Sequence, residues 1–249
     1  MPSYLIDQIL PTQRVSLVGG ISNTGKSRWI LPNFINWSRG MPILGLRSFP
    51  CKWAYVSGDR LLVEVADTIS TMGLNPENIP VIPAFGPHNK TWVQVVTEAG
   101  RLGVEFLIWE GFGDLVPHPQ HKSQVREFLS HISAVCCTPC KEFPNGLTVL
   151  GVVESPKLKP HERYKSARER ISGVASWGYH TSTIFLIEPE DPEDLGNPRR
   201  VMHCSLKNAP SFYTLGDFDH KGFLFFDSPL MHAENAAVRE FYAPLIVTK

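Results

Sequence analysis

The sequence predicts an α/β fold: a mostly parallel central sheet flanked by helices, with an antiparallel meander at its C-terminal end. Three observations predict it. Short apolar runs alternate with amphipathic segments, the pattern of repeated strand–helix–strand units. Those runs are apolar throughout rather than at every second position, as in strands buried on both faces. After residue 180 the texture changes to strand-like runs joined by an acidic turn. A chain of 249 residues fits one large domain or two small ones, and without a Gly/Ser linker or internal repeat a single domain over 1–249 is expected.

Taken in order, the first strand is Val15–Val18, followed by a glycine-bounded turn and an expected helix. Pro32 falls inside that helix, where proline costs about 3 kcal/mol or kinks the axis, so the helix either bends there or restarts. Trp53–Ser57 is the second strand. Leu62, Val65, Ala66, Ile69 and Met72 then recur at helical spacing. Ile79–Pro83 and Val104–Trp109 are the next strands, and Val125, Phe128, Leu129, Ile132 and Val135 form a second helical stripe. Both stripes read as core. Leu147–Val153 completes the parallel set; Thr183–Ile187, Val201–Leu206 and Phe223–Phe226 follow, with the acidic segment 188–198 as a solvated hairpin loop between the first two.

Composition narrows the function. Lysine plus arginine (24) equals aspartate plus glutamate (24), so affinity for nucleic acid has to come from a local patch. The opening MPSYLIDQIL lacks a basic n-region, and no apolar run approaches the roughly 20 residues of a membrane span, which argues for a cytoplasmic protein without membrane contact. Five cysteines, an odd number, argue against a disulfide scaffold. Cys137 and Cys140 have zinc-ligand spacing, but a structural site needs a second pair, so reduced thiols near a helix end are the expectation.

The sharpest motif is Gly20-Ile21-Ser22-Asn23-Thr24-Gly25-Lys26-Ser27, directly after the first strand. It matches G-x-x-x-x-G-K-[ST], whose chemistry needs those residues in that order. Glycines let the backbone aim its N–H groups at phosphate oxygens, and the helix onset adds its positive end. Lys26 would reach the β- and γ-phosphates of ATP, and the Ser27 hydroxyl would ligate Mg²⁺, with Arg28 beside them. Hydrolysis needs two further acids at strand ends. Glu110, after Phe106–Trp109, is the candidate to hold Mg²⁺ through water, and Asp59, after Trp53–Ser57, to orient the attacking water; Asp114 is a fallback for either.

The order LVGGISNTGKS, WAYVSGD, VEFLIWEGFGDL, LTVLGVVESPK, SLKNAP, over roughly residues 10–215, resembles the RecA-type ATPases and among them the RepA-like hexameric replicative helicases of plasmids and phages. Residues 216–249 then form a strand-and-helix extension. The resemblance implies a RecA-like fold, a homo-oligomeric, hexameric ring with ATP bound between subunits, and a DNA-dependent helicase or translocase in replication or recombination. It matches Asp59 to the family's catalytic glutamate and Glu110 to its magnesium-associated aspartate. The two substitutions are reciprocal: one acid is a methylene shorter, the other a methylene longer. A C–C bond is about 1.5 Å, and misplacement of that order costs around a hundredfold in rate, so slow or DNA-dependent hydrolysis is expected. The resemblance also puts Glu154 where the family has a γ-phosphate sensor, and Lys207 where a lysine reaches a neighbouring subunit's nucleotide.

After Glu154, residues 156–170 hold Lys157, Lys159, Arg163, Lys165, Arg168 and Arg170 against Glu162 and Glu169. In RecA-type rings that position is a channel loop that grips single-stranded DNA; the cations would attract phosphates and Tyr164 would stack on a base. A weaker companion is the segment 117–123 with His118, His121 and Lys122. Other readings stay open. The segment 156–170 is also readable as a solvated charged loop, or as the phosphate lid of a small-molecule or nucleotide kinase. A nucleotide-binding switch with little hydrolysis is the third alternative.

Overall fold

Continuous apolar strands separated by helical stripes can bury themselves only inside a sheet covered on both faces, and the computed structural model has that architecture. It describes residues 3–85, 90–118, 121–155, 166–171, 176–191, 194 and 197–247. The chain starts with a two-stranded antiparallel pair, β1 (Tyr4–Ile6) and β2 (Leu10–Pro11). Then follow β3 (Val15–Gly20), α1 (Lys26–Ser38), β4 (Trp53–Ser57), α2 (Leu62–Thr71), β5 (Val81–Pro83), α3 (Trp92–Arg101), β6 (Phe106–Trp109), α4 (Lys122–Cys137) and β7 (Thr148–Glu154). Two short helices, α5 (Ala167–Arg170) and α6 (Ser176–His180), precede β8 (Thr183–Pro189), β9 (Arg200–Leu206), β10 (Phe212–Phe218), β11 (Leu224–Phe226) and α7 (Ala236–Tyr242).

Nine strands form one sheet in the order β5-β4-β6-β7-β3-β8-β9-β10-β11. The first six are mutually parallel, and β9, β10 and β11 continue antiparallel from β8, so the mostly parallel sheet and C-terminal meander of the sequence reading are present. Side-chain alternation splits the core in two. Trp53, Tyr55, Phe106, Ile108, Phe185 and Ile187 face the layer that contains α1, α2 and α7. Ala54, Val56, Leu107, Trp109, Ile184 and Leu186 face the layer of α3 and α4. The two helical stripes are in these cores: Val65 and Ile69 in the first, Val125, Phe128, Leu129 and Ile132 in the second.

Helix α1 continues through the buried Pro32, so of the two outcomes expected there the helix does not restart. Two details differ from expectation. Strand β5 starts at Val81 rather than Ile79, because residues 76–78 form a 3₁₀ turn capped by Asn75. Strand β10 was not foreseen: its apolar alternation is interrupted by Gly216 and Asp217, yet it is hydrogen-bonded on both sides.

The topology also fixes where a site can be. Strand β3 lies between β7 and β8, and the chain leaves this switch point in opposite directions, where the carboxyl ends of parallel strands leave an open crevice. The register sets Gly20 beside Glu154. The same sheet end carries the exits of β4 and β6, and hence Asp59 and Glu110.

Candidate functional site

The turn Gly20–Gly25 leads from β3 straight into α1, and Gly25 takes the helix N-cap position with φ 94°. A side chain there is excluded twice, by that left-handed backbone and by Phe218, whose ring carbon would lie 2.8 Å from an added Cβ. Lys26 Nζ donates to the carbonyl oxygens of Gly20 (2.8 Å) and Ile21 (3.0 Å), folding the ammonium back over the loop. Burial lowers its pKa, and the negative charges of Glu154, Asp59 and Glu110, all close enough to be felt, act against that. Thr24 Oγ1 donates to the Ile21 carbonyl, and Arg200 Nε to the Thr24 carbonyl at 3.2 Å. Asn23 has φ 65°. Ser22, Asn23, Ser27 and Arg28 line a cleft of about 910 Å³, while Ile21 and Thr24 line a recess next to it.

The wall of the cleft formed by the β4 and β6 exits is acidic. Glu110 is fully buried and does not itself line the cleft; Asp59, Arg60 and Asp114 do. Arg60 Nε donates to Glu110 Oε2 at 2.7 Å, and Arg60 also donates to the Tyr55 hydroxyl. Glu110 Oε1 is buried without a hydrogen-bond partner among the described residues. Asp59 stands beside it. Burial and then the charge of Glu110 push the Asp59 carboxyl up to about 7, with Arg60 pulling the other way. Asp114 is raised as well, first by burial and then by Glu154. Glu154, exposed at the end of β7, accepts a hydrogen bond from Ser22 Oγ at 2.6 Å, so it touches the loop directly.

Two cations and a ring complete the opposite side. The Arg200 and Arg28 guanidinium carbons lie 5.1 Å and 5.9 Å from the centroid of Phe218, and all three residues line the cleft. The sequence alone gives Arg60, Arg200 and Phe218 no role. Only sheet topology brings them to the loop, so no local motif signals them.

Other expected residues are elsewhere. Lys157, Lys159, Arg163, Tyr164 and Lys165 lie outside the described residues. Arg168 and Arg170, expected among the DNA-gripping cations, are taken up by the fold. Arg168 donates to the carbonyls of Gly178, Thr181, Ser182 and Ser205, tying α5 to α6 and β9. Arg170 is buried and pairs with Glu188 Oε2 at 2.5 Å. Both guanidinium groups are thus engaged within the fold. Lys207 follows β9 at the far end of the sheet from the loop, because β9 runs antiparallel to β8 and Leu206 pairs with Thr183. Cys136 is buried, Cys137 and Cys140 are exposed, and Arg14 donates to the Cys137 sulfur.

The chemistry of the donor set fits a nucleoside triphosphate with magnesium. The loop presents backbone N–H groups and one ammonium at a helix start, and a Cβ at Gly25 would obstruct it. Among the described residues no three His, Cys, Asp or Glu side chains are disposed to hold a metal ion. Nor is any described helix long and apolar enough to cross a membrane.

No family model and no curated protein matches the sequence. The fold does have solved counterparts. One is the KaiC-like protein PH0186 from the hyperthermophilic archaeon Pyrococcus horikoshii OT3, with a TM-score of 0.59 over 89% of this chain and 93% of that chain at 12% identity. The fold is thus RecA-type, and at that identity the likeness speaks for architecture alone.

Proposed function

We propose that this chain is a single-domain RecA-type ATPase that binds ATP with Mg²⁺ and hydrolyses it as a subunit of a homo-oligomeric ring, acting on single-stranded DNA in the manner of the replicative and recombination ATPases its motif order resembles. One observation carries the reading: Lys26, at the start of α1, shares a cleft with Asp59 and Glu154 from neighbouring strand ends. When bound, magnesium would supply charge neutralisation at the phosphates, with Ser27 as its direct protein ligand and Glu110 behind. Asp59 is poised to hold a water and accept its proton. Lys26 would exchange its two carbonyl bonds for phosphate oxygens.

The nucleic-acid part rests on charge and position. Besides the segment 156–165, Lys122 and Arg126 line a cleft of about 660 Å³ along α4, with Glu127 as the one acid in its lining. The ion pair between Arg60 and Glu110 favours one further reading, a nucleotide-binding switch with slow hydrolysis, because it occupies one oxygen of the acid expected at the metal.

Phosphate release measured with and without a short single strand, alongside native mass, tests these readings together. The ring ATPase should assemble into a hexamer or another closed ring and turn over faster with the strand, and Lys26→Ala should abolish turnover. Binding without phosphate release, even with DNA, selects the switch. Absence of heat on titrating a non-cleavable ATP mimic with Mg²⁺ overturns the nucleotide site itself.

A further inference from the structure

We infer that Arg60 is a phosphate-contacting residue that reads the terminal phosphate of a bound nucleoside triphosphate from within the same chain. The inference rests on the nucleotide site proposed above and goes beyond it, since nothing in the motif assigns Arg60 a part.

Backbone geometry comes first. After β4 the chain passes Gly58, where an added Cβ would lie 2.1 Å from the Glu110 carbonyl oxygen, so the exits of β4 and β6 meet at a distance only glycine allows. That approach brings Asp59 and Arg60 onto Glu110. Arg60 Nε then holds Glu110 Oε2 at 2.7 Å, and a terminal nitrogen holds the Tyr55 hydroxyl. Glu110 and Tyr55 are fully buried, whereas the Arg60 side chain keeps 24% of its exposure and lines the cleft with Lys26 and Ser27. A guanidinium carries five N–H donors in a planar fork. Two anchoring bonds leave others for an oxyanion, and the anchors remove most of the rotamer entropy such a contact would otherwise cost.

Charge supplies the second argument. Asp59 lines the space a polyphosphate tail would enter, Glu110 is buried behind it, and both charges are close enough to act on Lys26. Asp114 lines the same wall. Without a cation among them, the three acids would repel phosphate. Arg60 is set between them, bonded to one and adjacent in sequence to another. The β-phosphate is served by the loop itself, so the selective effect of Arg60 falls on the outermost phosphate.

The test compares wild type, Arg60→Gln and Arg60→Lys by titration with ADP and with a non-cleavable ATP mimic, both with Mg²⁺. A charge-assisted bond lost from the outermost phosphate should weaken the mimic about tenfold or more in Arg60→Gln and leave ADP within about twofold. Arg60→Lys keeps the charge but cannot hold Glu110, Tyr55 and phosphate at once, so its loss should be intermediate. Equal losses for both nucleotides, or no loss for either, overturn the inference and leave Arg60 a structural brace. Should Arg60→Gln fail to fold, the same contrast decides in Arg60→Lys: a reduced preference for the mimic supports the contact, an unchanged one overturns it. If wild type binds neither nucleotide, the underlying site fails and this inference with it.

Discussion

At the residue scale, two positions are decisive because the backbone or the charge around them has no alternative. Gly25→Ala adds a methyl at φ 94° against the Phe218 ring, and Phe218 is itself packed by Arg28 and Arg200. We expect a loss of about 1–3 kcal/mol in unfolding free energy and a loss of nucleotide affinity measurable by calorimetry. Glu110→Gln removes the charge that Arg60 neutralises. Since the Arg60 side chain is partly exposed, the expected cost is moderate, about 2 kcal/mol in chemical denaturation, while phosphate release should fall to background. The glycine loop could be read in the sequence because all eight of its residues are contiguous. Arg60 could not: its meaning comes from Tyr55 and Glu110, and Glu110 is fifty residues away in the chain.

At the element scale, bonds within the fold account for the two arginines at α5. The Arg170–Glu188 pair fastens this four-residue helix to β8, and a helix that short has no stability of its own. His203, on β9, lies 3.4 Å from the same Glu188 oxygen, but Arg170 already holds that carboxylate, and burial together with the Arg170 charge pushes the imidazole down to about 4. The sign follows. Between pH 4 and the ordinary histidine value of 6.5 the unfolded chain binds more protons at His203 than the folded one, so stability is lost as pH falls through that window. Arg170→Ala should reverse the trend locally. Glu188, already raised by burial, would lose the cation that lowers it, and His203 would be released to protonate beside it. The variant should therefore lose about 3 kcal/mol near pH 8 and distinctly less near pH 5, as read from Tm across that range. The strands could be read in sequence because continuous apolar runs identify themselves; α5 could not, because arginines in a segment dense in charge look solvated until a buried glutamate on another element is known.

At the scale of the whole molecule, the antiparallel meander decides what Lys207 can do. Strand β9 begins at Arg200, opposite Pro189 beside the phosphate loop, and ends at Leu206, opposite Thr183. Seven residues of strand carry the chain about 20 Å along the sheet, so Lys207 cannot reach the loop of its own chain. Arg14 and Arg168 stand near enough to lower its pKa further below what burial alone does. If Lys207 serves a nucleotide, it serves one held by another subunit, and this can be separated from a structural role by mixing. Lys26→Ala lacks the loop's ammonium and Lys207→Ala the proposed reaching group, so each alone should release almost no phosphate. In a mixed ring, a loop from the Lys207→Ala chain can meet Lys207 of a Lys26→Ala neighbour, and such a site is complete. With equal amounts mixed at random around a closed ring, about a quarter of the wild-type rate should return, and it should fall off when either variant is in excess. A mixture no more active than its components would remove Lys207 from the site and leave Arg200, on the near end of the same strand, as the cation that β9 supplies.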